Sequence, residues 1–236
     1  MSAIFKKEFR SYFTSPIGWV VLAIMFFFSG FYFFMYNMSY GVANLTYVFQ
    51  GMYSIITLLV LPVLTMRLFS EEKRQKTDQA LFTAPTSLTG IVLGKYCAAM
   101  LLYALGLAIT LVFAVILAFQ VDPGWLSVFG NLIGTLLLGG MIVSIGMLIS
   151  TLTESQFIAA ISTFGISYML LSIDNLASIF QNVSWVTKVV SFLSINARYY
   201  NFTTGLIRVP DLIFFLSIQA MFIFLTIRVL ERKRWN

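Results

Sequence analysis

The sequence predicts an all-α polytopic membrane protein: six transmembrane helices, an N-terminal interfacial helix, and short re-entrant or external helices before the last span. Two observations carry this. Of 236 residues, 59% are hydrophobic and 10% charged, against roughly a quarter charged in soluble domains. The chain also holds long runs without any charge, the first lying between Arg10 and Arg67. A soluble fold of this composition would leave large apolar patches in water, whereas a helix of about 20 apolar residues crosses the hydrocarbon layer. Residues 1–236 therefore read as a single transmembrane domain with no separate soluble part.

Residues 3–14, AIFKKEFRSYFT, set Ile4, Phe5, Phe9, Tyr12 and Phe13 on one half of a helical circle and Lys6, Lys7 and Arg10 on the other. That is the pattern of a helix lying in the membrane interface; a plain basic flank is the other reading. Glu8 falls within the apolar half, a blemish on the pattern. Pro16 breaks the chain, and a first span follows at 17–36. No small-residue cleavage site closes it, which disfavours a signal peptide. A short polar turn, Asn37–Asn44, leads to a second span at 47–69, where Pro62 removes a backbone donor and predicts a kink. The third span, 96–119, ends at the turn signal Asp122-Pro123-Gly124.

The fourth span, 126–151, carries Gly130, Gly134, Gly140 and Gly146, with Ser144 and Ser150 continuing the four-residue spacing. Small residues four apart let helix backbones approach closely, either inside one subunit or between two. The turn Leu152–Gln156 precedes a fifth span at 157–173, and the last span is 212–229. Between them, Asp174–Asp211 interleaves Val183, Trp185, Val189 and Phe192 with polar residues, as short amphipathic or partly re-entrant helices would.

Lys and Arg resist translocation. With six spans and the N-terminus inside, twelve of them, including Lys6, Lys73, Lys95 and Arg232, fall in the cytoplasm, and three, Lys188, Arg198 and Arg208, fall outside. Both termini are expected in the cytoplasm of a multi-pass protein of the cell's inner or plasma membrane. The charge of +6 thus flanks spans rather than forming a nucleic-acid face. The charged island Glu71–Tyr96, EEKRQKTDQALFTAPTSLTGIVLGKY, is cytoplasmic on the same count.

Catalytic residues, metal ligands and cofactor-binding motifs are not expected. The chain has no histidine, and its one cysteine, Cys97, precludes an intrachain disulfide. Gly90–Tyr96, GIVLGKY, resembles a phosphate loop but is one residue short between its glycines and has Tyr96 at the magnesium-binding position. The spans hold no mid-membrane acid or base of the kind an ion-coupled carrier keeps. A carrier without its own energy source, yet with a cytoplasmic island, suggests a partner that supplies the work.

The island resembles the segment of type 2 ABC-exporter permeases in which a Glu-Glu-Lys/Arg start leads into Thr-x-x-x-Leu-x-Thr-x-Pro and then Ile-Val-Leu-Gly-Lys. Glu71, Glu72, Thr77, Leu81, Thr83, Pro85 and Gly94-Lys95 stand at those places, while Lys76 and Asp78-Gln79 depart from the usual pattern. The opening FKKEFRSYFTSPIGW is most similar to the gliding-motility permease subgroup, GldF and its relatives. The resemblance implies a permease half that pairs with a second copy or a similar permease, above two ABC ATPase subunits that hold ATP and Mg; an accessory extracytoplasmic subunit and membrane lipids are further partners. It also implies that residues 72–85 form the coupling segment, with Glu71, Glu72, Arg74, Thr77, Leu81, Phe82 and Pro85 at the ATPase interface. Other readings are an ATP-driven mechanical or signalling complex that transports nothing, an energy-independent channel or carrier, and a membrane enzyme. The last would need paired acids or a nucleophile with a base inside the spans.

Overall fold

Each apolar run closes its backbone hydrogen bonds within itself as helix, because hydrocarbon offers no other partners. The computed structural model describes residues 2–77, 87–174 and 194–235, and every regular element among them is helical. In chain order they are α1 (Ser2–Thr14), α2 (Pro16–Ser39), α3 (Thr46–Arg74), α4 (Leu88–Ala118), α5 (Trp125–Leu152), α6 (Gln156–Leu171), α7 (Ile195–Thr203) and α8 (Val209–Trp235). Five of these, α2, α3, α4, α5 and α8, are long and apolar enough to cross a membrane. The remaining expected span, the fifth in chain order (157–173), corresponds to α6, which has 16 helical residues, or roughly 24 Å at 1.5 Å per residue, short of the hydrocarbon thickness.

α1 turns sharply into α2, and the turn needs Gly18, where a Cβ would collide with the Tyr12 carbonyl. The apolar face of α1 (Ile4, Phe5, Phe9, Phe13) is partly buried against the core, and α1 packs chiefly along α4. α2 finishes in a π-helical stretch, Phe33–Ser39. Buried Asn37 donates from Nδ2 to the carbonyls of Val42 (2.6 Å) and Asn44 (3.0 Å) and so closes the polar turn. Gly41 takes a left-handed φ of 67° there. In α3 the disturbance expected at Pro62 takes the form of a π-helical stretch, Ile56–Val60, just before the residue that lacks an N–H.

The helix of the third expected span, α4, starts at Leu88, eight residues ahead of the expected 96. Ser87 caps it by accepting from the Gly90 N–H at 3.2 Å. GIVLGKY is therefore helix and not a loop, and Lys95 lies within it.

α5 is the axis of the bundle: 67% of its apolar window is buried, against 17% for α8. Its small residues are where the other helices sit. A Cβ on Gly134 would lie 2.6 Å from Phe202 Cβ of α7, one on Gly140 would lie 2.6 Å from the Tyr96 hydroxyl of α4, and one on Gly146 would collide with Thr65 of α3. Gly130 faces the Phe202 carbonyl. Of the two readings of this stripe, close packing inside one chain is what these contacts display. Residues 175–193, which hold Trp185, Val189 and Phe192, lie outside the described residues. The part of that stretch that is described, α7, is seated on α5, with Phe202 and Tyr199 buried.

Candidate functional site at the basic end of the bundle

α1, the end of α3, the start of α4, the end of α5 and the end of α8 meet at one end of the bundle, where the cations gather. The last turn of α3, Ser70–Arg74, is helical, with Glu71 and Glu72 in its first turn and Lys73 and Arg74 in its last, signs that suit the helix dipole. Its base is tied down in three directions.

The first tie is Lys95. Its ammonium is buried (side chain 1% exposed) and donates to Glu72 Oε1 at 2.9 Å, Glu8 Oε1 at 3.0 Å and the Leu68 carbonyl at 2.7 Å. All three ammonium donors are therefore used. Both carboxylates are mostly desolvated, with side chains 13% exposed for Glu8 and 15% for Glu72. Lys95 also stands 5.0 Å from the Phe69 ring centroid. One residue from each of α1, α3 and α4 thus shares a single buried ionic node. Glu72 Oε2 has no hydrogen-bond partner among the described residues.

The second tie is Arg67, also buried. Its guanidinium donates to the hydroxyls of Ser11 and Ser15, lies 3.6 Å from Glu71 Oε2, and stacks 4.9 Å from the Tyr12 ring centroid. Burial pushes the Tyr12 phenol well above its ordinary pKa, and Arg67 opposes that shift in part. The third tie is the C-terminus of α5. The Thr151 carbonyl accepts from Lys73 of α3 and from Lys233 of α8, and the Ser150 hydroxyl accepts from the Phe69 and Ser70 N–H groups at 3.0 Å each.

The expected coupling residues divide accordingly. Glu72 faces inward onto Lys95, and Glu71 is half-exposed beside Arg67. Arg74 and Thr77 are exposed, and Arg74 borders a cleft of about 520 Å³ with Met66, Glu154 and Gln156. Lys76 has a positive φ of 56°, rare outside glycine, so the chain turns sharply there. Leu81, Phe82 and Pro85 lie outside the described residues. Of the phosphate-loop lookalike, Gly94 is buried and Lys95 is committed to its two glutamates.

Sequence reasoning missed Glu8, Arg67, Lys95, Thr151 and Lys233 as parts of one site. The one usable signal was Glu8, an acid on an apolar helix face, which needs a cation from elsewhere in the fold.

The opposite end has its own polar contacts. Asp211 takes Arg198 at 2.9 Å and the Asn201 amide at 2.8 Å, and Tyr53 donates to Asn196 Oδ1 at 2.5 Å. Between α5, α6, α7 and α8 lies an apolar cavity of about 930 Å³, lined by Met141, Ile145, Ile166, Ile213 and Met221 together with Arg198. Among the described residues, this arrangement sets no nucleophile beside a base. It ties several helices together at one end and leaves an apolar recess beside the axis.

No curated protein matches the chain. At family level, residues 2–235 match the ABC-2 family transporter protein description. The chain belongs to that family and is a membrane permease subunit of an ABC transporter.

Proposed function

We propose that this permease is one half of an exporter's membrane core, and that residues 70–77 carry the movement of separate ATPase subunits into the spans. The observation that carries the reading is the division of this short segment. Glu72 is bound to Lys95 of α4, which also holds Glu8 of α1, Lys73 is bound to the end of α5, and Glu71 pairs with Arg67 within α3, while Arg74–Thr77 are exposed. A lever needs both a fixed root and a free tip. Two copies, or one copy and a similar chain, sit over two ATPase subunits that bind and hydrolyse ATP with Mg. Residues 78–86 complete the contact, with Leu81 and Phe82 as its apolar anchors. The basic end is then cytoplasmic, as the excess of Lys and Arg there supports. ATP-driven closure beneath the root biases the bundle between two states. The N-terminal likeness to gliding-motility permeases supports placement in that subgroup.

The test uses the permease reconstituted with its ATPase subunits. Spin labels at Thr204, exposed at the opposite end, report the distance between the two permease copies with and without ATP. A nucleotide-dependent change is expected in the starting protein. It should be lost when Lys95→Met, Glu8→Gln and Glu72→Gln are combined. An unaltered change in that triple variant refutes transmission through the node.

A further inference from the structure

α1 carries four charged residues, Lys6, Lys7, Glu8 and Arg10, and the structure separates them by face. Glu8, the single acid, is turned inward and held by Lys95. Lys6, Lys7 and Arg10 stay exposed. With the hydroxyl-bearing Ser11 and Thr14 they line a shallow depression of about 440 Å³ that has no acidic residue in its lining. Beside it, Arg67 of α3 gives its two terminal nitrogens to the hydroxyls of Ser11 and Ser15 and meets its acid, Glu71, through Nε. Glu8, the one acid of α1, is held by Lys95 on the other side of the helix and does not neutralise this face.

Its position fixes what can reach it. α1 ends at Thr14, and Pro16 opens the first span. Trp19, 59% exposed, donates its indole N–H to the Phe13 carbonyl at 3.0 Å and packs edge-on to the Phe13 ring. An exposed indole one turn inside a span is an interfacial anchor. The depression therefore lies at headgroup level, beside a lipid-facing ring.

We infer that this face seats the phosphate of a net-anionic phospholipid. A phosphodiester accepts from ammonium, guanidinium and hydroxyl groups alike. A zwitterionic headgroup would bring its own cation against three others, with no acid to receive it. Each basic group near an anionic membrane surface contributes about a fivefold factor in association.

The test is lipid selectivity at Trp19. A variant with Trp125→Phe, Trp185→Phe and Trp235→Phe leaves Trp19 as the only indole. It is reconstituted in phosphatidylcholine vesicles containing a minor fraction of either brominated phosphatidylglycerol or brominated phosphatidylcholine. The expected result is stronger quenching by the anionic lipid, corresponding to at least about a fivefold preference. Adding Lys6→Gln, Lys7→Gln and Arg10→Gln should reduce the preference to near unity, whereas Lys6→Arg with Lys7→Arg should retain it. Equal quenching by both lipids in the starting protein overturns the inference, as does an unchanged preference in the Gln variant. If inorganic phosphate abolishes the preference and chloride at matched ionic strength does not, the site takes free phosphate and the lipid assignment fails. If the Gln variant keeps its preference but loses co-purifying ATPase subunits, the face serves the soluble partner, and the assignment fails equally.

Discussion

Replacing Lys95 by methionine tests the buried node most severely. The side chain keeps most of its volume, but Glu8 and Glu72 lose the ammonium that both contact, at 3.0 and 2.9 Å. Two desolvated carboxylates are then left side by side. Removing one partner of a buried ion pair costs about 3–5 kcal/mol, because the remaining charge is uncompensated. For a domain of this size that corresponds to a fall of about 6–20 °C in Tm. Thermal scanning of detergent-purified protein by size-exclusion chromatography would read it. The mechanism makes a second demand. If the cost is the unpaired charge, then adding Glu8→Gln and Glu72→Gln to Lys95→Met should recover more than half of the loss, since a neutral buried trio carries no such penalty. A shift below about 2 °C for Lys95→Met, well under the expected range, or a triple variant no more stable than the single one, would refute the reasoning.

Other substitutions probe the remaining parts. Gly134→Val would press a branched side chain onto Phe202, whose Cβ would stand only 2.6 Å from the new Cβ; a loss of about 1–3 kcal/mol and loosened seating of α7 are expected, measured by thermal scanning and by protease sensitivity at Thr204. Leu81→Asp with Phe82→Asp should leave the permease in the membrane but cost several kcal/mol at a desolvated contact, read as loss of co-purified ATPase subunits; wild-type assembly would remove these residues from the interface. With Cys97 replaced by alanine, single cysteines at Lys76 and Arg232 should react with impermeant reagents from the cytoplasmic side and one at Thr204 from the other. Labelling of position 76 from outside would invert the topology.

Five of the six expected spans were legible because lipid imposes one rule on them, a long apolar helix, and hydropathy reads that rule directly. The turn at Asp122-Pro123-Gly124 was equally plain: Asp122 Oδ1 accepts from the Gly124 N–H at 3.0 Å, and Gly124 adopts φ 67°. The start of α4 was not. Leu88–Lys95 is helical because Ser87 caps it and α1 packs on it, and neither cause raises hydropathy. The ionic node was hidden for a different reason. Glu8 and Lys95 are 87 positions apart, and pairing at that separation is decided by how helices pack. The glycine spacing of α5 announced close approach but could not name the partner, because any neighbouring backbone or ring satisfies it. Phe202, Tyr96 and Thr65 were supplied by the fold.

The double occupancy of the Thr151 carbonyl has a consequence for genetics. Lys73 and Lys233 donate to the same acceptor, so either can be lost while the end of α5 remains capped. Single replacements at these two positions should look silent, and their importance should emerge as synthetic loss when both are removed. Such redundancy also means that loss of the Lys73 contact alone leaves the Thr151 carbonyl accepting from the tail lysine.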